Sequence, residues 1–480
     1  MSKKYKSNLI NGEWTENGSQ FMSTNPSETS DQIGPFFEAT EDDCDLAISS
    51  ARNAFEYWSK SQLEERKKIL DDIGDALIKN SQEIGKLIAR EEGKTVPEGV
   101  GEVYRSGQFF QYFGAEVLRQ MGEVTTSVRP NIDIEVTREP LGVIGVITPW
   151  NFPVAVAAWK IAPAIAFGNS VVLKPSEIVP ASASVFAEII HQSDLPDGVF
   201  NCVQGSGNVG QIITNSKNID GISFTGSVRT GNHIAQNAMK NMVKIQMEMG
   251  SKNALVVLND ADIETAVQCA INGAFFGTGQ KCTASSRLIV EDKIHDEFVA
   301  ALTEATKALV VGHALDEKTQ IGPAVDGRQF EQNKKYLDEA LEKGAKMIAG
   351  DEKIDTNTNG FFMRPTLLID TNNNMQINRE EVFGPIACVI RANDYNHALS
   401  ISNDSDFGLT SGIVTNSLKH ANHFKRNSQS GCVMVNLPTA GTDYHVPFGG
   451  RKASSYGPRE QGQYAKEFFT TVKTSYISSA

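Results

Sequence analysis

Four short, nearly unbroken apolar runs constrain this chain more than any other feature. They are Val143–Ile147, Ser170–Leu173, Gly198–Val203 and Gly221–Phe224, and segments able to form helices lie between them. Strands without polar alternation are buried on both faces, and strands separated by helices in this way run parallel in an α/β sheet. A second α/β stretch extends from Asn253 to Asn436, with Ala254–Leu258 and Ile413–Val414 reading as strands. Helical periodicity dominates from Glu41 to Gln120. There Leu63, Ile69, Ile73, Leu77, Ile84 and Ile88 share one face that resets near Asn80, and Gly93 is a stop. Ile132, Ile134 and Val136 then alternate with Asp133, Glu135 and Thr137, the pattern of a half-exposed strand suited to assembly. Leu9–Trp14 reads as a hairpin, and Phe468–Ile477 as an edge strand for subunit contact.

A length of 480 residues suits about two to four domains. The formal charge of −13, with no basic block, argues against a nucleic-acid partner. Six scattered cysteines form neither a disulfide framework nor a zinc pattern, so no metal site is expected. The basic start Met1–Lys6 has no apolar run behind it, as a secretory signal would. Prolines and Lys160 interrupt the greasiest stretch, Leu141–Ile165, so no membrane span is expected and the reading is cytoplasmic.

Cys282 stands among Gly279, Gln280, Lys281 and Thr283, outside any hydrophobic run. That setting suits a thiol that is reached and ionised, since nearby positive charge favours the thiolate. Glu248, between two methionines and before Gly250, is either a desolvated base or a solvated strand-edge carboxylate. Asn151, fixed between Pro149 and Pro153, offers an amide to an oxyanion or serves only the turn. Lys174 and Glu177 close a strand, where open α/β sheets bind ligands, and could grip a ribose. A glutamate there would repel a 2′-phosphate and favour NAD over NADP. Phe224–Ser227 opens a helix, whose N-terminus attracts phosphate. Gly205–Gly210 also matches G-x-G-x-x-G, but no acidic residue follows at the expected distance, so it reads as a tight turn with a minor phosphate role.

Taken in order, Pro149–Pro153, Lys174–Glu177, Phe224–Ser227, Glu248–Gly250, Gly279–Cys282, Glu380–Pro385 and Pro447–Gly450 resemble the aldehyde dehydrogenase superfamily over nearly the whole chain. The resemblance implies two Rossmann-type α/β domains and a small β bridging domain. Residues 1–120 and 143–250 would form the cofactor-binding domain, 251–450 the catalytic domain, and 121–142 with 451–480 the bridging segments. It implies NAD(P)-dependent oxidation of an aldehyde to a carboxylic acid, NAD first and NADP as the alternative, in a homodimer or homotetramer. Cys282 matches the nucleophile, Glu248 the water-activating base and Asn151 the oxyanion donor. Lys160 and Glu460 match positions that move protons behind them. The cofactor wall would comprise Ile147, Thr148, Pro149, Trp150, Lys174, Ser176, Glu177, Gly207, Gly210, Phe224, Thr225, Gly226, Ser227, Met249, Glu381 and Phe383. Ser251 replaces a usual glycine, and Ala453–Tyr456 replaces a commoner Ser-Gly pattern.

The substrate funnel implied by the resemblance is lined by Phe152, Val156, Trp159, Phe276, Thr283 and Phe448. Succinic-semialdehyde enzymes carry arginines where Trp159 and Phe276 stand. The segments Asn436–Gly450 and Gly457–Gly462 are similar instead to α-ketoglutaric semialdehyde (2,5-dioxovalerate) dehydrogenases. Their product would be 2-oxoglutarate. Other short semialdehydes, neutral aldehydes or a non-catalytic use of the fold are the alternatives. Arg105 is either the anchor for the substrate carboxylate or a surface residue on an amphipathic helix.

Overall fold

The computed structural model describes residues 5–119 and 121–478. The start of the basic N-terminus, Met1–Lys4, and the helical limit expected at Gln120 lie outside the described residues. The four apolar runs pair in parallel as expected. Phe200–Cys202, Ser170–Lys174, Val143–Ile147 and Gly221–Thr225 are adjacent in that order. A fifth parallel strand, Lys244–Glu248, continues the sheet. Its sequence, Lys-Ile-Gln-Met-Glu, hides it from a hydrophobicity reading, although Gln246, Met247 and Glu248 are all buried. Antiparallel edges close the sheet, with the hairpin Asn8–Ile10/Glu13–Thr15 at one side and Ser455–Tyr456 at the other.

The second sheet runs Lys346–Ala349, Thr366–Ile369, Ile386–Ala392, Ser285–Glu291, Asn253–Val257, Thr410–Val414, Cys432–Val435. All its pairs are parallel except the first. A third sheet joins Thr470–Ser478, Ile132–Pro140 and Glu123–Thr126 antiparallel. Of the tail from 451 onward, only Thr470–Ser478 enters that sheet, because Ser455–Tyr456 is drawn to the first sheet beside Glu248.

The helical region divides into Glu41–Trp58, Leu63–Lys79, Ser81–Glu92 and Val96–Glu116. The breaks have local causes. Thr40 and Asp43 form a capping box at the first start, Asn80 separates the second and third helices, and Gly93 ends the third at φ 100°. These helices bury Trp58, Phe110 and Phe113 against Ala155–Ala166, the helix that follows Asn151. The same packing therefore places the catalytic candidates. Among the described residues, no helix is long and apolar enough to cross a membrane. No group of three or more His, Cys, Asp or Glu side chains there could hold a metal.

Candidate active site

The carboxyl ends of the first sheet deliver Glu248, Thr225 and, past the next turn, Asn151 to one cavity of about 610 Å³. The second sheet supplies Cys282 from the turn before Ser285–Glu291. That turn needs left-handed backbone at three successive residues, with φ of 64°, 55° and 65° at Gly277, Thr278 and Gly279. At Gly279 a side chain would also strike the Gly384 carbonyl, so glycine is required on two grounds. The turn is pinned from several directions. Gly277 N donates to Glu98 Oε1 at 2.7 Å, Val325 N to Gln280 Oε1 at 2.9 Å, and Asn253 Nδ2 to the Cys282 carbonyl at 2.7 Å.

The thiol is not electrostatically activated in this form. Burial raises the Cys282 pKa, and the charges of Glu381 and Glu248 raise it further. This corrects the expectation of an ionised thiol. Lys281 turns its Nζ to the Asn272 carbonyl at 3.0 Å, and burial pulls its own pKa down to about 8.

Asn151 is buried, and its Nδ2 donates to the Gln280 carbonyl at 2.9 Å, which commits one of two amide hydrogens and leaves the other for a ligand. Its own carbonyl accepts from Lys94 Nζ at 2.6 Å. Lys94 is also paired with Glu102 at 2.6 Å. The other Glu102 oxygen caps the next helix through Val154 N and Ala155 N at 2.9 and 3.1 Å. The sequence reading missed Lys94 and Glu102. A buried ion pair leaves no periodic trace, and the only sign was charge on a helix face that had to pack.

Glu248 is 3% exposed. Burial first, then Glu460, raise its pKa well above the ordinary carboxylate range, while Ser455, Lys160 and Arg459 oppose that rise. Behind it, Lys160 forms a buried ion pair with Glu460 and donates to Ser223 Oγ at 3.0 Å, which in turn donates to Gln246 Oε1 at 2.9 Å. Among the described residues the second Glu460 oxygen has no hydrogen-bond partner, so the network stays open at that atom.

Pro149, Trp150, Thr225, Gly226, Ser227, Met249, Glu381 and Phe383 line the same cavity. Ser227 caps Val228–Lys240 by accepting from Thr230 N at 3.2 Å, and Gly226 and Ser227 bring that helix start to the cavity wall. Glu381 accepts from Ser251 N at 2.8 Å, and burial pushes its pKa up to about 7. Lys174 is 5% exposed and meets Glu177 at 3.2 Å. Burial lowers the pKa of this lysine. Glu177 lines an adjoining cavity of about 600 Å³. A charged pair, a helix start and an aromatic pair, Trp150 on Phe383 at 5.3 Å, are a donor set that fits a dinucleotide.

Other residues lie apart from the main cavity. Ile147, Thr148, Ser176 and Phe224 are buried. Gly207 and Gly210 begin the helix Gly207–Asn215, but Glu38 already accepts from Ser206 N at 2.9 Å at that start, where its negative charge opposes a phosphate. Arg105, Phe152, Val156, Trp159, Thr283 and Phe448 line the cavity, whereas Phe276 does not and packs against the second-sheet core. Arg105 sits 39% exposed, 4.0 Å from Asp443, with its guanidinium 5.4 Å from the Tyr444 ring centre.

The half-buried Cys282 thiol and the buried Asn151 amide and Glu248 carboxylate share one cavity, beside a cleft that fits a dinucleotide, on an open α/β scaffold. The aldehyde dehydrogenase family profile matches residues 14–475, and the chain belongs to that family. It is 37% identical to the α-ketoglutaric semialdehyde dehydrogenase of Bacillus subtilis, over 98% of this chain and 97% of that one. It is 38% identical to the α-ketoglutarate semialdehyde dehydrogenase of Haloferax volcanii, covering 98% of both. Betaine aldehyde dehydrogenase of Staphylococcus aureus, solved in complex with NAD+, superposes with a TM-score of 0.96 at 33% identity, over 99% of this chain and 95% of that one.

Proposed function

We propose that the chain oxidises α-ketoglutaric semialdehyde to 2-oxoglutarate with NAD, through a thioester on Cys282. One observation carries the reading: Cys282, Asn151 and Glu248 share a cavity whose mouth holds Arg105. Cys282 Sγ attacks the aldehyde carbon while its proton passes to solvent, and the carbonyl electron pair moves to oxygen. The free Asn151 amide hydrogen and the Cys282 N–H donate to that oxygen. Lys174, Glu177, Ser227 and Glu381 would hold the dinucleotide, which when bound supplies a hydride acceptor. Glu248 then takes a proton from water as the water oxygen attacks the thioester carbon, the C–S bond breaks, and the departing sulfur takes back a proton from solvent to restore the thiol. Lys160 and Glu460 hold the buried route by which Glu248 sheds that proton.

Arg105 would pair with the far carboxylate of a keto-acid semialdehyde, exchanging its long contact to Asp443 for a shorter one. A second reading, an aldehyde bearing a quaternary ammonium, is supported by the Trp159–Phe448 ring pair at 5.8 Å, a surface suited to cations. Turnover of α-ketoglutaric semialdehyde, succinic semialdehyde, betaine aldehyde and a neutral aldehyde, each with NAD and NADP, tests both. The keto-acid aldehyde with NAD should give the highest kcat/KM. A tenfold lead for betaine aldehyde would sink the assignment. Assembly into a homodimer or homotetramer is supported by Val472, Tyr476 and Ile477, which leave apolar side chains exposed on Thr470–Ser478.

A further inference from the structure

Glu248 has one side-chain hydrogen bond among the described residues, from Ser455 Oγ to Oε2 at 2.5 Å. The two residues face each other across an antiparallel pair, so the contact is built into the sheet register. The hydroxyl is itself oriented, because its oxygen accepts from Gly450 N at 2.6 Å. A serine hydroxyl has a single hydrogen. With the oxygen held by Gly450, that hydrogen is committed to Glu248. On the other side, Gly449 has φ 148° and no side chain, and a Cβ there would lie 2.7 Å from Glu248 Oε1. The carboxylate is thus clasped between a bare backbone and one donor.

We propose that Ser455 is the positioning residue of the base: its hydroxyl holds Glu248 in place as the anion and so sets the pH at which the thioester is hydrolysed. The inference rests on the assignment of Glu248 as that base. The charged groups that face Glu248 are Glu460, which disfavours its anion, and Lys160 and Arg459, which favour it. The thiols of Cys282 and Cys432 lie within its field. Arg459 donates to the Gly450 carbonyl, and Lys160 is taken up by Glu460 and Ser223. Among the described residues, Ser455 alone donates a side-chain hydrogen bond to the carboxylate. In hydrolysis, Glu248 accepts the proton of the attacking water, the new C–O bond replaces the C–S bond, and the Ser455 hydrogen bond remains on the other carboxylate oxygen.

Rapid-quench kinetics on the full-length protein tests this. NADH formed in the first turnover counts folded, acylated sites, and acid formed afterwards measures hydrolysis as a function of pH. Ser455→Ala should keep the first-turnover NADH and move the hydrolysis midpoint upward by about one pH unit, the size of one lost hydrogen bond to a charge. Below the midpoint, hydrolysis should be about tenfold slower. Ser455→Thr should restore the midpoint, and Ser455→Gly should behave as the alanine variant. Superimposable profiles for wild type, Ser455→Ala and Ser455→Gly would overturn the inference. Glu248→Gln separates it from its premise. Wild-type hydrolysis in that variant would remove Glu248 as the base, whereas hydrolysis lost in Glu248→Gln but unmoved in Ser455→Ala would remove only the role of Ser455.

Discussion

The inner end of the cavity and its mouth are held by different kinds of interaction. At the inner end Asn151 and Glu248 are 5% and 3% exposed, and Asn151, Glu248 and the Cys282 backbone are each bonded to a residue distant in sequence. At the mouth Arg105 is 39% exposed, and its polar partner Asp443 stands 4.0 Å away. Exposed ion pairs of that length contribute about 0–1 kcal/mol, whereas a buried charge deprived of its partner costs about 3–5 kcal/mol. The groups proposed to react are therefore fixed before any ligand arrives, while Arg105 is free to change partners.

Four changes test that contrast. The largest effect should come from Cys282→Ala, which removes the one thiol that lines the cavity among the described residues. NADH production should fall by more than ~10⁴-fold, with nucleotide binding, read by fluorescence quenching, preserved. Glu248→Gln should lower steady-state turnover by about 10²–10⁴-fold while leaving one NADH per site. In the wild type, burial and Glu460 raise the Glu248 pKa, so its carboxylate fraction grows as pH rises through that elevated value. Turnover should accordingly be lost on acidification, and a rate independent of pH would contradict the assigned base. Lys94→Met leaves Glu102 as an unpaired buried carboxylate under Asn151. Thermal unfolding should show a destabilisation of about 3 kcal/mol, joined by a lower kcat with little change in KM.

The smallest effect belongs to the mouth. Arg105→Met should raise KM for α-ketoglutaric semialdehyde about tenfold, near the lower end for a hydrogen bond to a charged group, and leave a neutral aldehyde unaffected. Equal losses on both substrates, or a fall in kcat matching Glu248→Gln, would break the division between a fixed interior and an exchangeable rim.

The fold was legible wherever burial repeats. The apolar runs Val143–Ile147 and Gly221–Thr225 declare parallel strands, and Ile132, Ile134 and Val136 declare a sheet with one open face. Lys244–Glu248 was not legible as a strand, because Gln246 is buried for its hydrogen bonds to the Pro458 and Arg459 carbonyls, at 3.3 and 3.2 Å, and to Ser223. Short motifs singled out Cys282, Asn151 and Glu248, which the structure brings to one cavity, but their electrostatics were not legible. The lysine beside Cys282 in sequence points elsewhere, and burial, followed by two glutamates from other segments, raises the thiol pKa. Phe276 shows the same limit. Six residues from Cys282, it lies beyond a left-handed turn that sends it into the core.

By itself the sequence determined the parallel sheets, the separate alternating strands, the glycine-dependent turn before Cys282, and the kinds of chemical group available. Each of these depends on local steric preference or on the periodicity of burial, and both are carried by neighbouring residues. Only the tertiary structure decided which groups face one another: Ser455 against Glu248, Lys94 beneath Asn151, Asp443 beside Arg105. Hydrogen bonds and charge interactions act over a few ångströms. Their partners here lie 207, 57 and 338 positions apart in the chain, a separation that no local pattern encodes.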